Sequence, residues 1–150
     1  MLQFAFDGHA DNPHLPDNYV PDTVVYTGTH DNPTTRGWYE DLPEAERRNL
    51  WRYAQRARGT DVDAAPSLLR LAWSSRATLA IAPLQDVLNL GKDARMNQPG
   101  SPNGNWRWRA TEDQVSSSAL RGLGEVTEAS GRASLADTRR PDVSMSAAAS

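Results

Sequence analysis

The sequence predicts an α/β chain whose strands form a parallel sheet covered by helices, and two observations carry that prediction. Three short apolar runs, Leu2 to Phe6, Val24 to Thr29 and Thr78 to Ala82, are continuous rather than alternating, as strands buried on both faces are. Segments of helical period lie between the second run and the third, and strands that alternate with helices favour a parallel sheet.

Taken in order, Leu2 to Phe6 has no polar lead-in and reads as a buried strand, an abrupt start expected of a piece of something larger. Asp7, Asn12, His14 and Asn18 follow in an Asp-, Asn- and Pro-rich connection of turn composition. After the Val24 strand, Pro43 to Arg58 has the marks of a helix. Pro43 suits the first turn, Glu44 and Glu46 the positive end, Arg56 and Arg58 the negative end, and Gly59 stands just beyond. Leu50, Tyr53, Ala54 and Ala57 give it one apolar stripe. Pro66 to Ser75 reads as a second, shorter helix. The Thr78 strand then leads through Pro83 into a helical turn, Gln85 to Leu90, with Gly91 at its C′ position, and into a Gly-, Pro- and Asn-rich loop from Asn97 to Asn105. Val115, Ala119, Leu123 and Val126 mark a last helix. Ala133 to Ser150 has little to bury and is expected to be a disordered tail, leaving 1–132 as the folded portion.

Composition narrows the function. The 150 residues contain no cysteine, which removes disulfides, thiolate metal sites and cysteine nucleophiles and is compatible with a cytoplasmic location. Sixteen basic against 19 acidic residues give a net charge of −3, so no long-range positive field gathers nucleic acid or anionic lipid. No run reaches the roughly 18 apolar residues of a membrane span, and no secretory signal is visible. Mean hydropathy is −0.67, low for a chain that packs throughout.

Tyr26-Thr27-Gly28-Thr29-His30-Asp31-Asn32 is the sharpest polar cluster. It follows a strand directly, and the C-terminal ends of parallel strands are where such folds contact ligands. A carboxylate and an imidazole side by side suit vicinal sugar hydroxyls; the plainer alternative is that both bond loop backbone. His9, His14 and His30 are the only histidines and none pair at metal-ligand spacing, so no metal site is expected. Gln85-Asp86 is a further polar pair after a strand, equally readable as part of a helix N-terminus. Alternating Trp106-Arg107-Trp108-Arg109 reads either as a stacking platform or as an anchor with its tryptophans inward, and the negative net charge weighs against nucleic acid.

Taken together, Leu2 to Phe6, Asn12-Pro13-His14-Leu15-Pro16-Asp17-Asn18-Tyr19, Tyr26 to Asn32 with Thr34-Thr35-Arg36-Gly37-Trp38, Pro83-Leu84-Gln85-Asp86, Ala94-Arg95-Met96-Asn97 with Pro99-Gly100, and Gly104-Asn105-Trp106-Arg107-Trp108-Arg109 resemble, in that order, the amylomaltase family of 4-alpha-glucanotransferases. The resemblance runs from Leu2 to about Arg132. Pro33, Asp17 and Asn89 depart from the family's commoner aspartate, histidine and glycine, which bears on substrate preference rather than on family.

The resemblance implies a (β/α)8 TIM barrel of which this chain forms the C-terminal part, its last three strands and their helices. It implies transfer of an α-1,4-glucan segment to the 4-hydroxyl of an acceptor by a retaining mechanism, with no cofactor. Asp31 is then the transition-state-stabilising carboxylate at the end of the seventh strand, with His30 contacting the same sugar. Asn97 contacts substrate from the loop after strand eight, and Asp7 approaches it from the loop after strand six. A retaining reaction also needs a nucleophile and an acid/base about 5 to 5.5 Å apart. The resemblance puts both on the fourth and fifth strands, so the isolated chain is expected to be inactive without a missing N-terminal partner. The alternative is a non-catalytic glucan-binding or interaction module derived from that barrel.

Overall fold

The computed structural model describes residues 1–115 and 117–133. Most of the expected tail, 134–150, lies outside the described residues.

Two strands, β1 (Val24–Tyr26) and β2 (Leu79–Ile81), pair in parallel with Val24 opposite Leu79, Val25 opposite Ala80 and Tyr26 opposite Ile81. The Thr78 amide donates to the Thr23 carbonyl (2.9 Å) and the Thr27 amide to the Ile81 carbonyl (3.2 Å), extending the ladder at both ends. The expected third strand is a correction, because Leu2–Phe4 forms a 3-10 turn. Leu2, Ala5 and Phe6 are buried while Phe4 is 54% exposed. That inward set at three- and four-residue spacing is a helical period, which a five-residue apolar run does not distinguish from a strand.

Among the described residues are five α-helices, three between the strands and two after them: α1 (Thr35–Asp41), α2 (Glu44–Tyr53), α3 (Asp61–Ser74), the short α4 (Leu84–Val87) and α5 (Ser117–Ala129). α1 was not expected as a helix. It is started by Thr34, whose hydroxyl oxygen accepts from the Gly37 amide (3.1 Å), an N-cap that satisfies one of the donors a helix leaves open. α2 stops five residues short of Arg58. Gln55 adopts φ +55° and the amides of Gln55 and Arg56 turn back to the carbonyls of Arg52 and Trp51, the Schellman pattern that ends a helix.

α3 begins before Pro66, which stands inside it. A proline withholds the amide that would bond the carbonyl four residues earlier, here that of Val62. The side chain of Asn89 donates to that carbonyl instead (2.8 Å), so the helix runs through. Asn89 also takes the left-handed C′ position of α4 at φ +53°, the role expected of Gly91. The amides of Leu90 and Asn89 close a Schellman turn onto Gln85 and Asp86.

The core gathers Leu2, Val25, Leu50, Leu68 and Ala72 between the 3-10 turn, the sheet and the helices, with Phe6 wedged against Trp38 and Tyr53. Val25 is fully buried on one face of the sheet. On the other face Val24, Leu79 and Ile81 are 40%, 51% and 36% exposed. One face of the parallel pair is therefore covered, and the other is apolar and open.

Candidate functional site

Beyond Tyr26 the chain leaves the sheet because its side chains are captured from both sides. The Thr27 hydroxyl donates to Asp86 Oδ2 (2.6 Å), as does the Thr35 hydroxyl (2.7 Å), while the Thr35 amide donates to Asp86 Oδ1 (2.7 Å). Asp86 is 1% exposed. Burial pushes its carboxyl above the ordinary range while the donors from Thr27 and Thr35 pull it back. Asp86 thus pins the end of β1 and the start of α1 to the end of β2. Gln3 supports the same turn by donating to the Pro33 carbonyl (3.1 Å), and a Cβ on Gly28 would stand only 2.7 Å from the Gln3 amide nitrogen. A side chain at position 28 would push the Gln3 amide away from its bond to Pro33.

On this base the loop is tightened by Asn32, whose Oδ1 accepts from both the amide (3.0 Å) and the hydroxyl (2.7 Å) of Thr29. His30 and Asp31 then project into solvent, with side chains 55% and 51% exposed and His30 Nε2 3.3 Å from Asp31 Oδ1. Asn97 arrives from a loop 66 residues away and donates its side-chain amide to Asp31 Oδ1 (2.6 Å). Its backbone amide donates to the His30 carbonyl (3.1 Å). Arg95 locks the two loops together, Nη2 on the Asp31 carbonyl (2.7 Å) and Nε on the Asn97 carbonyl (2.8 Å).

Trp106 closes the arrangement. Its ring lies 5.0 Å from that of His30, tilted by 40°, and its amide bonds the Met96 carbonyl (2.7 Å) although its φ is +62°. A bulky residue in the left-handed region is strained, and here that conformation leaves the indole 54% exposed above the groove. Trp106 is thus the outward one of the pair, while Trp108 is half-buried. The groove, about 490 Å³, is bounded by Tyr26, His30, Ile81, Arg95 and Trp106. The imidazole of His30 and the aromatic face of Trp106 line this groove, with the Asp31 carboxylate and the Asn97 amide held against His30 and each other beside it, a set of groups suited to a polyhydroxylated ring.

Of the residues selected from sequence, His30, Asp31 and Asn97 meet in this cluster. Asp7 instead accepts from the His9 amide (3.0 Å) on its own turn. That bond, with the Asn12 side chain, holds its carboxyl below the usual range. Arg95 and Asn32 were not singled out for a role, and no local spacing reveals contacts made across loops. Asp86, a strand-end polar group in the sequence, has a structural part. A larger groove, about 810 Å³, lies beside Phe6, Tyr53 and Arg76. There burial and Asp17 push the Tyr53 phenol up to about 12, leaving it unsuited to proton transfer near neutral pH. No group of three or more potential metal ligands occurs among the described residues.

Comparisons with known proteins bear on the family of the chain. A family model described as 4-alpha-glucanotransferase matches residues 1–115. The chain is 50% identical over 109 residues to the chloroplastic/amyloplastic 4-alpha-glucanotransferase of Solanum tuberosum, covering 73% of this chain and 19% of that protein. It is 46% identical over 136 residues to the 4-alpha-glucanotransferase of Thermus thermophilus, covering 85% and 27%. Among solved structures, the amylomaltase from Streptococcus agalactiae in complex with acarbose superposes with a TM-score of 0.82 at 29% identity, covering 89% of this chain and 27% of that one. The chain therefore spans about a fifth to a quarter of the length of these relatives. Within that span the family model and identities near one half leave a single conclusion: the chain belongs to the 4-alpha-glucanotransferase family.

Proposed function

We propose that this chain supplies one edge of an α-1,4-glucan site in a retaining 4-alpha-glucanotransferase. Asp31 stabilises positive charge at the anomeric carbon, and His30 and Asn97 hold hydroxyls of the same sugar. The observation that carries the reading is the convergence of Asp31, His30 and Asn97 at the C-terminal end of parallel strands, with Asp31 Oδ1 engaged by both neighbours. Carboxylate oxygens accept only, so Asp31 keeps capacity for sugar hydroxyl donors, and its negative charge gains weight as the oxocarbenium-like transition state forms. Asp7 is assigned to the rim of the same glucan path.

The nucleophile and the acid/base are assigned to barrel strands outside this chain. The other strand-end carboxylate described, Asp86, is buried with both oxygens occupied and is unfit for either role. The chain is accordingly read as the C-terminal part of a (β/α)8 barrel. Support comes from the open sheet face, where Leu79 and Ile81 have the branched apolar character of a barrel interior, while Val25 faces the helices as a barrel's outer layer does. The acarbose complex of the Streptococcus agalactiae amylomaltase is consistent with a glucan-type ligand.

Maltotriose disproportionation tests the proposal. The isolated chain is expected to release no glucose and no longer maltodextrins. Adding the complementary N-terminal part of a family member restores both, and Asp31→Asn in that assembly lowers the rate by about 10²- to 10³-fold. Activity of the isolated chain, or a restored assembly indifferent to Asp31→Asn, overturns it. Glucan binding with no rescue of activity favours the non-catalytic module instead.

A further inference from the structure

We propose that the arginine-lined groove over α2 binds a compact oligophosphate, a small molecule carrying a pyrophosphate or longer phosphate chain. The groove, about 600 Å³, is lined by Arg47, Arg48, Arg52, Arg56 and Arg58 with a single acid, Glu44. Five of the chain's 16 basic residues thus meet in one place, in a chain whose net charge is −3. Apart from Glu44, no acid in the groove alternates with these arginines.

The floor beneath the guanidinium groups is rigid. Trp51 Nε1 donates to the Tyr39 hydroxyl (2.8 Å), which donates to the Gly59 carbonyl (3.0 Å), and the two rings stand edge to face at 5.5 Å. The backbone at Gly59 lies against Trp51 so closely that a Cβ there would fall 2.6 Å from the indole. On this floor Arg47 sits 4.9 Å above the Tyr39 ring and Arg56 5.2 Å above that of Trp51. The left-handed turn at Gln55 is what swings Arg56 back over its own helix. Stacked guanidinium groups are pre-organised forks, and fork geometry is what phosphate oxygens select.

Charge is left over for a ligand. Glu44 lies 3.7 Å from Arg48 and Asp63 lies 3.2 Å from Arg56. Five cations less those two anions leave three. Arg52 and Arg58 have no ion-pair partner among the described residues. Arg47 Nη2 donates to the Glu40 carbonyl (2.8 Å). The positive patch is short and bounded by Glu44 and Asp63, so it suits a compact multivalent anion rather than an extended nucleic acid, which the chain's net charge repels.

The test titrates the full chain with inorganic pyrophosphate by calorimetry, with ATP, orthophosphate and sulfate in parallel. The chain used carries Leu79→Lys and Ile81→Lys, which keep its open sheet face from self-association and lie outside the arginine groove. The Trp51 indole N–H resonance serves as a site-specific reporter. Saturable one-to-one binding of pyrophosphate is expected, weakened at least tenfold by Arg47→Gln or Arg56→Gln and unchanged by Arg121→Gln, which removes the same charge from α5. ATP binding more tightly than pyrophosphate identifies a nucleotide as the source of the phosphates, and equal affinity identifies the phosphate chain alone. No saturable binding, equal response to sulfate, or equal weakening by Arg121→Gln overturns the proposal.

Discussion

Both oxygens of Asp86 are taken, one by the Thr35 amide and the other by the hydroxyls of Thr27 and Thr35, and all of these groups are buried. Asp86→Ala leaves those donors without a partner in a site closed to water, which is expected to cost about 3 kcal/mol in urea unfolding. The pH dependence has a definite sign. Because burial raises the folded-state pKa of Asp86 above its unfolded value, the proton-linked part of its contribution is complete below the ordinary carboxylate pKa and is lost as pH rises through the raised one. The stability gap between the parent chain and Asp86→Ala therefore widens as pH falls from 7 toward 4, and a gap that narrows instead contradicts the assignment. His30 and Asp31 were legible as a pair from their place after an apolar run. The use of Asp86 as an anchor was not, because its partners lie 51 and 59 residues away.

At the scale of elements, the sequence signals that worked are local ones. Pro43 ahead of α2 and the apolar runs at β1 and β2 are each read within a few residues. The start of α3 is one that failed because its partner lies elsewhere. α3 is expected to begin at Pro66 because a proline breaks the ladder, yet Asn89, 27 residues beyond Val62, supplies the missing donor to the Val62 carbonyl. The same side chain explains why asparagine rather than glycine ends α4: it tolerates φ +53° and donates across to α3. Asn89→Gly keeps the left-handed turn and loses the bond, at an expected cost of about 1 kcal/mol. Asn89→Ala loses both and costs about 2 kcal/mol or slightly more. Thermal melts of the two variants separate the terms, and equal destabilisation would mean that the Val62 contact contributes alone.

For the whole molecule, the open sheet face decides solution behaviour. Two three-residue strands make a sheet too small to stand alone, and parallel sheets are ordinarily covered on both sides. Here only the Val25 face is covered, while Val24, Leu79 and Ile81 present an apolar patch to water. The sequence pattern concealed this. Continuous apolar runs announced strands buried on two faces, and the helices of this chain account for one of them. A chain in this condition gains free energy by covering the patch with whatever is available. On the proposal that the natural cover is the remainder of a barrel, the isolated chain associates with itself at micromolar concentration and disperses when the complementary part is added. Leu79→Lys with Ile81→Lys, both exposed, is expected to have opposite effects in the two settings. It suppresses self-association of the isolated chain, because charge on an open face resists pairing, and it abolishes rescue by the complementary part, because the same lysines would enter a dry interior unpaired. Sedimentation across a hundredfold concentration range reads the first effect and maltotriose turnover the second. A parent chain that remains a monomer with sharp two-state unfolding throughout that range would show that the face is stable in water and needs no barrel to cover it.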